Sequence, residues 1–312
     1  MLAPDPKLLA VAMAVDALFG DPPNAVHPVA WIGRLAQALV RRAPQRGRAP
    51  QLIAGTLVVV VVCAASLGTL SLLDRALGGR PALAFLVEAF LLKCTFAFKG
   101  LGRAGKVVRT ALANGRIDEA RLALRALCSR DPFSLSGAEL AAGTVESLAE
   151  NLSDSFVAPL LAYAIFGLPG AVVYRAANTL DAMIGYRGRY EFLGKYAARL
   201  DDLLNVLPAR LTAALLLAAG ALAGGNAREG LRILRRDRAL TASPNAGWPM
   251  AAMAGLLGVC LAKPGHYRLG DGGRDAGWPD IDRAWRIVSV AAVMAGVVAL
   301  MIALGWGVHG GG

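Results

Sequence analysis

Two stretches of the chain, Leu52 to Leu73 and Ile287 to Val308, each run 22 residues without an ionisable side chain. At roughly 1.5 Å per residue, a helix of that length reaches about 33 Å, enough to cross a hydrocarbon core of about 30 Å. Backbone polar groups inside lipid must be satisfied within the segment, so both runs are expected to be helical spans. Four other apolar segments are less clean. Pro81 to Phe98 carries Glu88 and Lys93, charges that at membrane depth must face protein or water, unless they sit at the end of the span. Ser155 to Tyr174 is uncharged but broken by Pro159 and by Gly167-Leu168-Pro169-Gly170, which predicts two half-helices. Leu211 to Ala227 is rich in Ala, Leu and Gly, and Ala239 to Ala262 is uncharged yet holds Ser243-Pro244-Asn245 and Trp248-Pro249. The segments at about 81–98, 155–174, 211–227 and 239–262 are therefore expected to be further or partial spans, because irregular backbone at that depth is tolerated where it lines a cavity.

Between these runs the pattern turns polar. Leu8 to Phe19 predicts a short apolar helix stopped by Gly20-Asp21-Pro22-Pro23. Residues 99–153 predict a helical insertion on the cytoplasmic side, with Asn114-Gly115 as a helix stop and a well-patterned helix over Glu139 to Ser153. The expected fold class is all-α: a polytopic integral membrane helical protein with cytoplasmic helical insertions and re-entrant or broken helices, forming a single domain over residues 1–312.

Composition agrees. Only 18% of residues are charged, against about a quarter in soluble domains, and the mean hydropathy is +0.50. The net charge of +11 comes largely from arginines beside apolar runs: Arg34, Arg41, Arg42, Arg46 and Arg48 before the first clean span, Arg228 to Arg238, and Arg283 and Arg286 before the last. The segment His309 to Gly312 has no Lys or Arg, which places it outside and the basic segments in the cytoplasm. No basic stripe is interleaved with aromatics, so nucleic acid is not an expected partner. Cys63, Cys94, Cys128 and Cys260 are scattered without a Cys-x-x-Cys spacing, and small packing residues are the reading for them. Lys7 with Leu8 to Val15 faintly resembles a secretory leader, but Asp16 and Gly20-Asp21-Pro22-Pro23 stand where a cleavage site would be.

Five short clusters hold most of the chemistry-bearing side chains. They are Asp16, Asp21 and His27; Lys99 with Ser129-Arg130-Asp131; Glu146, Glu150, Asn151 and Asp154; Arg175, Asn178, Asp181 and Arg187; and Arg199, Asp201, Asp202, Asn205 and Arg210. At about 100° per residue, Glu146, Glu150 and Asp154 fall within a stripe of ~80° on one helix face, opposite Val145, Leu148, Ala149, Leu152 and Phe156. Such a stripe reads either as a solvated acidic side of an ordinary amphipathic helix or as a carboxylate row for Mg²⁺ or general-base work. The stretch carries no balancing Lys, although like charges four apart repel by a few tenths of a kcal/mol. Asn178/Asp181, Asp202/Asn205 and Asp201/Asn205 share helix faces at i, i+3 or i, i+4. The nearby arginines suit phosphate or carboxylate, so a polyanionic substrate or nucleotide is expected, with membrane-surface ion pairing as the alternative for any single Arg. No P-loop is present, so an ATP site would be of another kind. His266 and His309 are given no role.

In this order the clusters resemble the cobinamide (adenosylcobinamide-phosphate) synthase family, CobD/CbiB. The resemblance rests on Gly20-Asp21-Pro22-Pro23 with His27-Pro28; Lys99-Gly100-Leu101; Ser129-Arg130-Asp131; Glu146-Ser147 with Ala149-Glu150-Asn151; Asn178 to Tyr186; Ala198 to Asp202 with Asn205 and Pro208-Ala209-Arg210; and Ser243-Pro244-Asn245-Ala246-Gly247. Thr241 stands where family members often have His. The resemblance implies an ATP-dependent acid–amine ligase that joins a propionate of adenosylcobyric acid to (R)-1-amino-2-propanol or its phosphate. It further implies ATP and Mg²⁺ as cofactors and a site facing the cytoplasm of the bacterial inner membrane. On that basis Glu146, Glu150, Asp181 and Asp202 are the candidate catalytic residues. Lys99, Arg130, Asn151, Arg175, Asn178, Arg187, Arg199, Asn205, Arg210 and Asn245 are candidates for substrate and phosphate binding, and Asp154 and Asp201 for the metal. The resemblance leaves open a partnership with other membrane-associated cobalamin-assembly enzymes.

Two rival readings come from other classes. A non-catalytic signalling protein of the AmpE-like type would have little use for so many Asn, Asp and Arg clusters. A corrinoid-binding or transport protein would place ionisable residues near mid-span and show inverted halves, and no internal repeat is apparent.

Overall fold

The computed structural model describes residues 3–128, 131–186 and 188–309. Its chain is helical almost throughout. In order come α1 (Pro6–Phe19), α2 (Pro28–Arg42), α3 (Arg48–Leu77), α4 (Pro81–Lys93), α5 (Phe98–Ala113), α6 (Ile117–Leu124) and α7 (Gly137–Leu152). A π-helical turn (Ser153–Val157) leads into α8 (Ala158–Ile184), followed by α9 (Lys195–Leu204), α10 (Val206–Leu222), α11 (Ala227–Asp237) and α12 (Gly247–Leu257). Strands β1 (Val259–Lys263), β2 (Tyr267–Leu269) and β3 (Arg274–Asp275) precede α13 (Trp278–His309).

Among the described residues, four helical stretches are long and apolar enough to cross a membrane: Arg48–Leu77, Pro81–Ala113, Gly137–Ile184 and Trp278–Gly305. A fifth would arise if α9 and α10 form one broken span. The protein is an all-α, multi-pass membrane protein, and both clean apolar runs lie within single helices, α3 and α13. Local chemistry sets many of the ends. Asp5 caps α1 by accepting from the Lys7 N–H at 2.7 Å, Pro6 fills a position that needs no donor, and Gly20 at φ 75° ends the helix. Ser136 and Glu139 form a reciprocal capping box at the start of α7.

Three segments show how the sequence pattern is realised in the backbone. Gly167 breaks α8 with φ 67° and ψ −163°, two residues before Pro169, so the run does consist of two half-helices. Gly115, at φ 69°, closes α5 after Asn114. The segment 239–262, expected as a further or partial span, forms no continuous helix of spanning length. Its only helix is α12, and 11 residues reach about 16 Å, half the hydrocarbon thickness. Gly258 then turns the chain at φ 67° into β1, which pairs antiparallel with β2 and parallel with β3. The apolar character of 239–262 instead reflects burial in protein, since every residue of α12 except Trp248 is buried.

The chain divides into two compact units. One comprises Met1–Ala97, Ala158–Leu204 and Val298–Gly312, the other Phe98–Val157 and Asn205–Val297. In the first, Ala36, Val58, Val62, Ala176, Leu180, Ile184 and Ala197 form the core, contributed by α2, α3, α8 and α9. In the second, α7 is enclosed along one continuous stretch, Leu140 to Ala149, and Ala213, Leu234 and Ala252 form a further cluster between α10, α11 and α12. Gly102 in α5 sits where a side chain would collide with Trp285, so only glycine lets these helices approach so closely.

Candidate functional site

The first unit contains two polar groupings. At the end of α4, Lys93 is 1% exposed, and its ammonium lies 3.1 Å from Asp16 Oδ1 and within hydrogen-bond reach of Asp21 Oδ1. A charge so placed meets the expectation that it faces protein, since Lys93 lies well inside the stretch Pro81–Ala113. His27 caps α2 by accepting from the Val29 N–H through Nδ1, which leaves Nε2 facing Asp21 at 3.9 Å. Burial opposes the charge on Asp21, but hydrogen bonds from His27 and Lys93 outweigh it and hold the carboxyl below the ordinary carboxylate range.

The second grouping links α8 to α9. Arg175 Nη1 donates to Asn178 Oδ1 at 3.2 Å, and Asn178 Nδ2 donates to Asp201 Oδ1 at 3.3 Å, giving a chain from guanidinium through amide to carboxylate. Asp201 is buried, Asp181 and Asp202 are half-buried and Arg199 is exposed. Two glycines set this geometry. A Cβ on Gly185 would land on the Asp181 carboxylate, and one on Gly194 would land on the Ile184 carbonyl. The loop between α8 and α9 can therefore fold back only with glycine at both positions. Arg187 lies outside the described residues.

In the second unit, Glu146 is 1% exposed, which removes the solvated-face reading for this position. The apolar residues around it do not form a separate opposite face, because α7 is buried on all sides here. Tyr267, on β2, donates its hydroxyl to Glu146 Oε2 at 3.4 Å. Glu150, Asn151 and Asp154 are half-buried. The π-helical turn widens the helix from Ser153, so Asp154 departs from the straight stripe expected of an uninterrupted α-helix. Asn151 donates to the Ser147 carbonyl at 2.9 Å and accepts from Ser155 at 3.2 Å. Lys99 is half-buried near the start of α5. Arg130 lies outside the described residues.

Arg210 and Asn245 do meet. Arg210 Nη1 donates to Asn245 Oδ1 at 2.9 Å, and its guanidinium lies 4.6 Å from the centre of the Trp248 ring, which Arg238 approaches at 5.2 Å. Each guanidinium gains from the quadrupole of the Trp248 ring. Asn205 is buried at the start of α10. Asp237 accepts from Arg236 and from the Gly270 N–H at 2.7 Å, so it ties α11 to the loop after β2. Burial opposes its charge, but Arg236 and Gly270 outweigh it and hold its carboxyl below the ordinary range.

A cavity of about 840 Å³ lies in this unit, with Ser136, Glu139, Lys263, His266, Tyr267 and Arg268 on its wall. Sequence reasoning missed these residues. The Lys263-Pro264-Gly265-His266 turn was the available signal, but the apolar run before it read as a span. Among the described residues, no group of three or more His, Cys, Asp or Glu is arranged to hold a metal. Mg²⁺ is commonly held by one or two protein carboxylates together with substrate phosphates, so a single carboxylate such as Asp154 or Asp201 would serve that mode without a closed protein cage.

Comparison with known proteins gives a consistent answer. The family described as CobD/Cbib protein matches residues 9–303. The chain is 44% identical over 262 residues to the cobalamin biosynthesis protein CobD of Dehalococcoides mccartyi, covering 84% of this chain and 85% of that one. It is 42% identical over 300 residues to a probable CobD of Thermococcus kodakarensis, covering 95% of each. It is 38% identical over 315 residues to CbiB of Salmonella paratyphi B, covering 96% and 97%. No solved structure matches. The enclosed carboxylates, the ordered motifs that carry them and these matches across nearly the whole length place the chain in the CobD/CbiB family of cobalamin biosynthesis proteins.

Proposed function

We propose that this protein forms an amide bond between a propionate carboxylate of adenosylcobyric acid and the amine of (R)-1-amino-2-propanol or its phosphate, at the expense of ATP. The reaction would take place on the cytoplasmic face of the bacterial inner membrane, where the arginine-rich segments are retained. The observation that supports this reading most is Glu146, a carboxylate enclosed in protein and hydrogen-bonded by a tyrosine that lines a cavity together with Lys263, His266 and Arg268.

A free carboxylate is a poor electrophile, and an amine attacks only after losing a proton. ATP with Mg²⁺, when bound, supplies the phosphoryl group that activates the carboxylate. Glu146 takes the proton from the amine as general base, and the Tyr267 hydroxyl fixes the carboxylate's orientation. Glu150, Asp181 and Asp202 are the further acid–base candidates. Lys99, Arg130, Arg187, Arg199 and Arg210 bind phosphate and carboxylate groups. Asn151, Asn178, Asn205 and Asn245 orient polar substrate groups, with Arg175 holding Asn178. Asp154 and Asp201 would hold Mg²⁺ together with phosphate oxygens. Other membrane-associated enzymes of the same assembly are candidate partners.

The test is purified protein with adenosylcobyric acid, the amine and Mg·ATP, followed by mass spectrometry. Cobinamide product that requires amine and ATP together supports the reading. Product formed without ATP, or none with either amine, overturns it.

A further inference from the structure

A second cavity, of about 200 Å³, lies wholly within the first unit between α2, α3, α4 and α8. Its wall is almost entirely apolar, and the hydroxyls that reach it are turned away. Ser66 Oγ donates to the Val62 carbonyl at 2.8 Å, Thr69 Oγ1 to Ala65 at 2.8 Å, and Thr95 Oγ1 to Leu92 at 2.7 Å. Each hydroxyl thus donates to nearby helix backbone and has no proton left to give a ligand. The single charged residue of the lining is Arg175. A small polar metabolite would leave its hydrogen-bonding groups unmatched over most of this surface.

The side from which the groove opens is equally informative. Ala65 and Thr69 are exposed on α3, whose outward residues Val60 and Leu72 are 55% and 67% exposed, and Trp31 is 50% exposed at the α2 edge. Along a spanning helix, exposed apolar surface meets lipid rather than water. An apolar slot open to acyl chains, with one guanidinium in its wall, is complementary to an amphipathic anion.

We infer that this groove binds one anionic phospholipid of the surrounding bilayer, with an acyl chain in the slot and the headgroup phosphate at Arg175. Because Arg175 also donates to Asn178, and Asn178 to Asp201, the bound lipid would steady the polar chain that runs from α8 to α9. The inference does not rest on the ligase reading, since lipid binding is measured without turnover.

The test uses the full-length protein, delipidated in detergent and titrated with phosphatidylglycerol or phosphatidylcholine, with retained lipid counted by native mass spectrometry. We expect one phosphatidylglycerol to be retained with about a fivefold preference, the ratio expected of a single Arg beside an anionic headgroup. Filling the slot with Ala65→Phe and Thr69→Phe should abolish retention, whereas Val60→Phe, on the outward face of α3 away from the slot, should not. Arg175→Gln should keep a lipid but lose the preference. Equal retention of the two lipids by the unaltered protein, or undiminished retention after filling, overturns the inference. Should the filled variant fail to fold, Trp31 decides the matter. Chain-brominated phosphatidylglycerol should quench it more than the phosphatidylcholine analogue, read as the difference between the unaltered protein and Trp31→Phe, and equal quenching again overturns the inference.

Discussion

The Lys93 ammonium lies 3.1 Å from Asp16 Oδ1, with both side chains almost completely enclosed. This ion pair joins the end of α4 to α1, and Asp21 shares the same cation. Removing one partner leaves an enclosed charge uncompensated, which typically costs about 3–5 kcal/mol. Lys93→Met should therefore lower the thermal unfolding midpoint sharply in detergent. Asp16→Leu added to Lys93→Met should recover part of the loss. A single variant as stable as the unaltered protein would show the pair to be dispensable.

Glu146→Gln should reduce amide formation by about 10²–10⁴-fold, the usual contribution of a positioned general base, with little change in unfolding temperature. Tyr267→Phe removes a hydroxyl 3.4 Å from Glu146 Oε2 and should cost less, about tenfold. A Tyr267→Phe variant as active as the unaltered protein would mean that Tyr267 acts only in packing.

Gly185→Ala should displace the Asp181 carboxylate, because the added carbon would occupy its place. Gly194→Ala should be more damaging to stability, since the nearest obstacle there is the Ile184 backbone, whereas at Gly185 the Asp181 carbonyl is no closer than 2.7 Å and the nearer atom belongs to a side chain that can rotate. A cost of about 1–3 kcal/mol or more is expected for such overpacking. Comparing the two variants by unfolding temperature and by activity separates the effects: Gly185→Ala should lose activity out of proportion to stability.

Asp237 gives a pH prediction outside the spans. Its carboxyl is held below the ordinary value by Arg236 and the Gly270 N–H, against the opposing effect of burial. A depressed folded-state value means that the stabilisation is fully present above the unfolded carboxylate range, near pH 4, and is lost as pH falls through the lower folded value. Asp237→Asn should therefore be less stable than the unaltered protein at neutral pH, by about 2 kcal/mol. The two should converge in acid. Hydrogen exchange at Gly270 should also rise in the variant at neutral pH.

How much was legible beforehand depended on the range of the cause. Where the cause is local, the sequence sufficed. An uncharged run of spanning length has no alternative to a helix in lipid, so α3 and α13 were readable from composition and length. The break at Gly167, the stop at Gly115 and the start of α1 follow from single residues whose backbone preferences act within a turn. The order of the polar motifs carried the family resemblance, because matching it requires no knowledge of which residues touch.

The tertiary structure alone decided which polar residues are enclosed and what they meet. Periodicity put Glu146 on an acidic stripe but could not tell solvent from protein on that side, since burial depends on helices far away in the chain. Asn178 finds Asp201 across 23 positions, and Tyr267 finds Glu146 across 121. The run 239–262 shows the same limit, because apolar residues satisfy a lipid environment and a protein core equally well. Only the left-handed turn at Gly258 and the strand after it distinguish the two, and that pairing is a property of the folded chain.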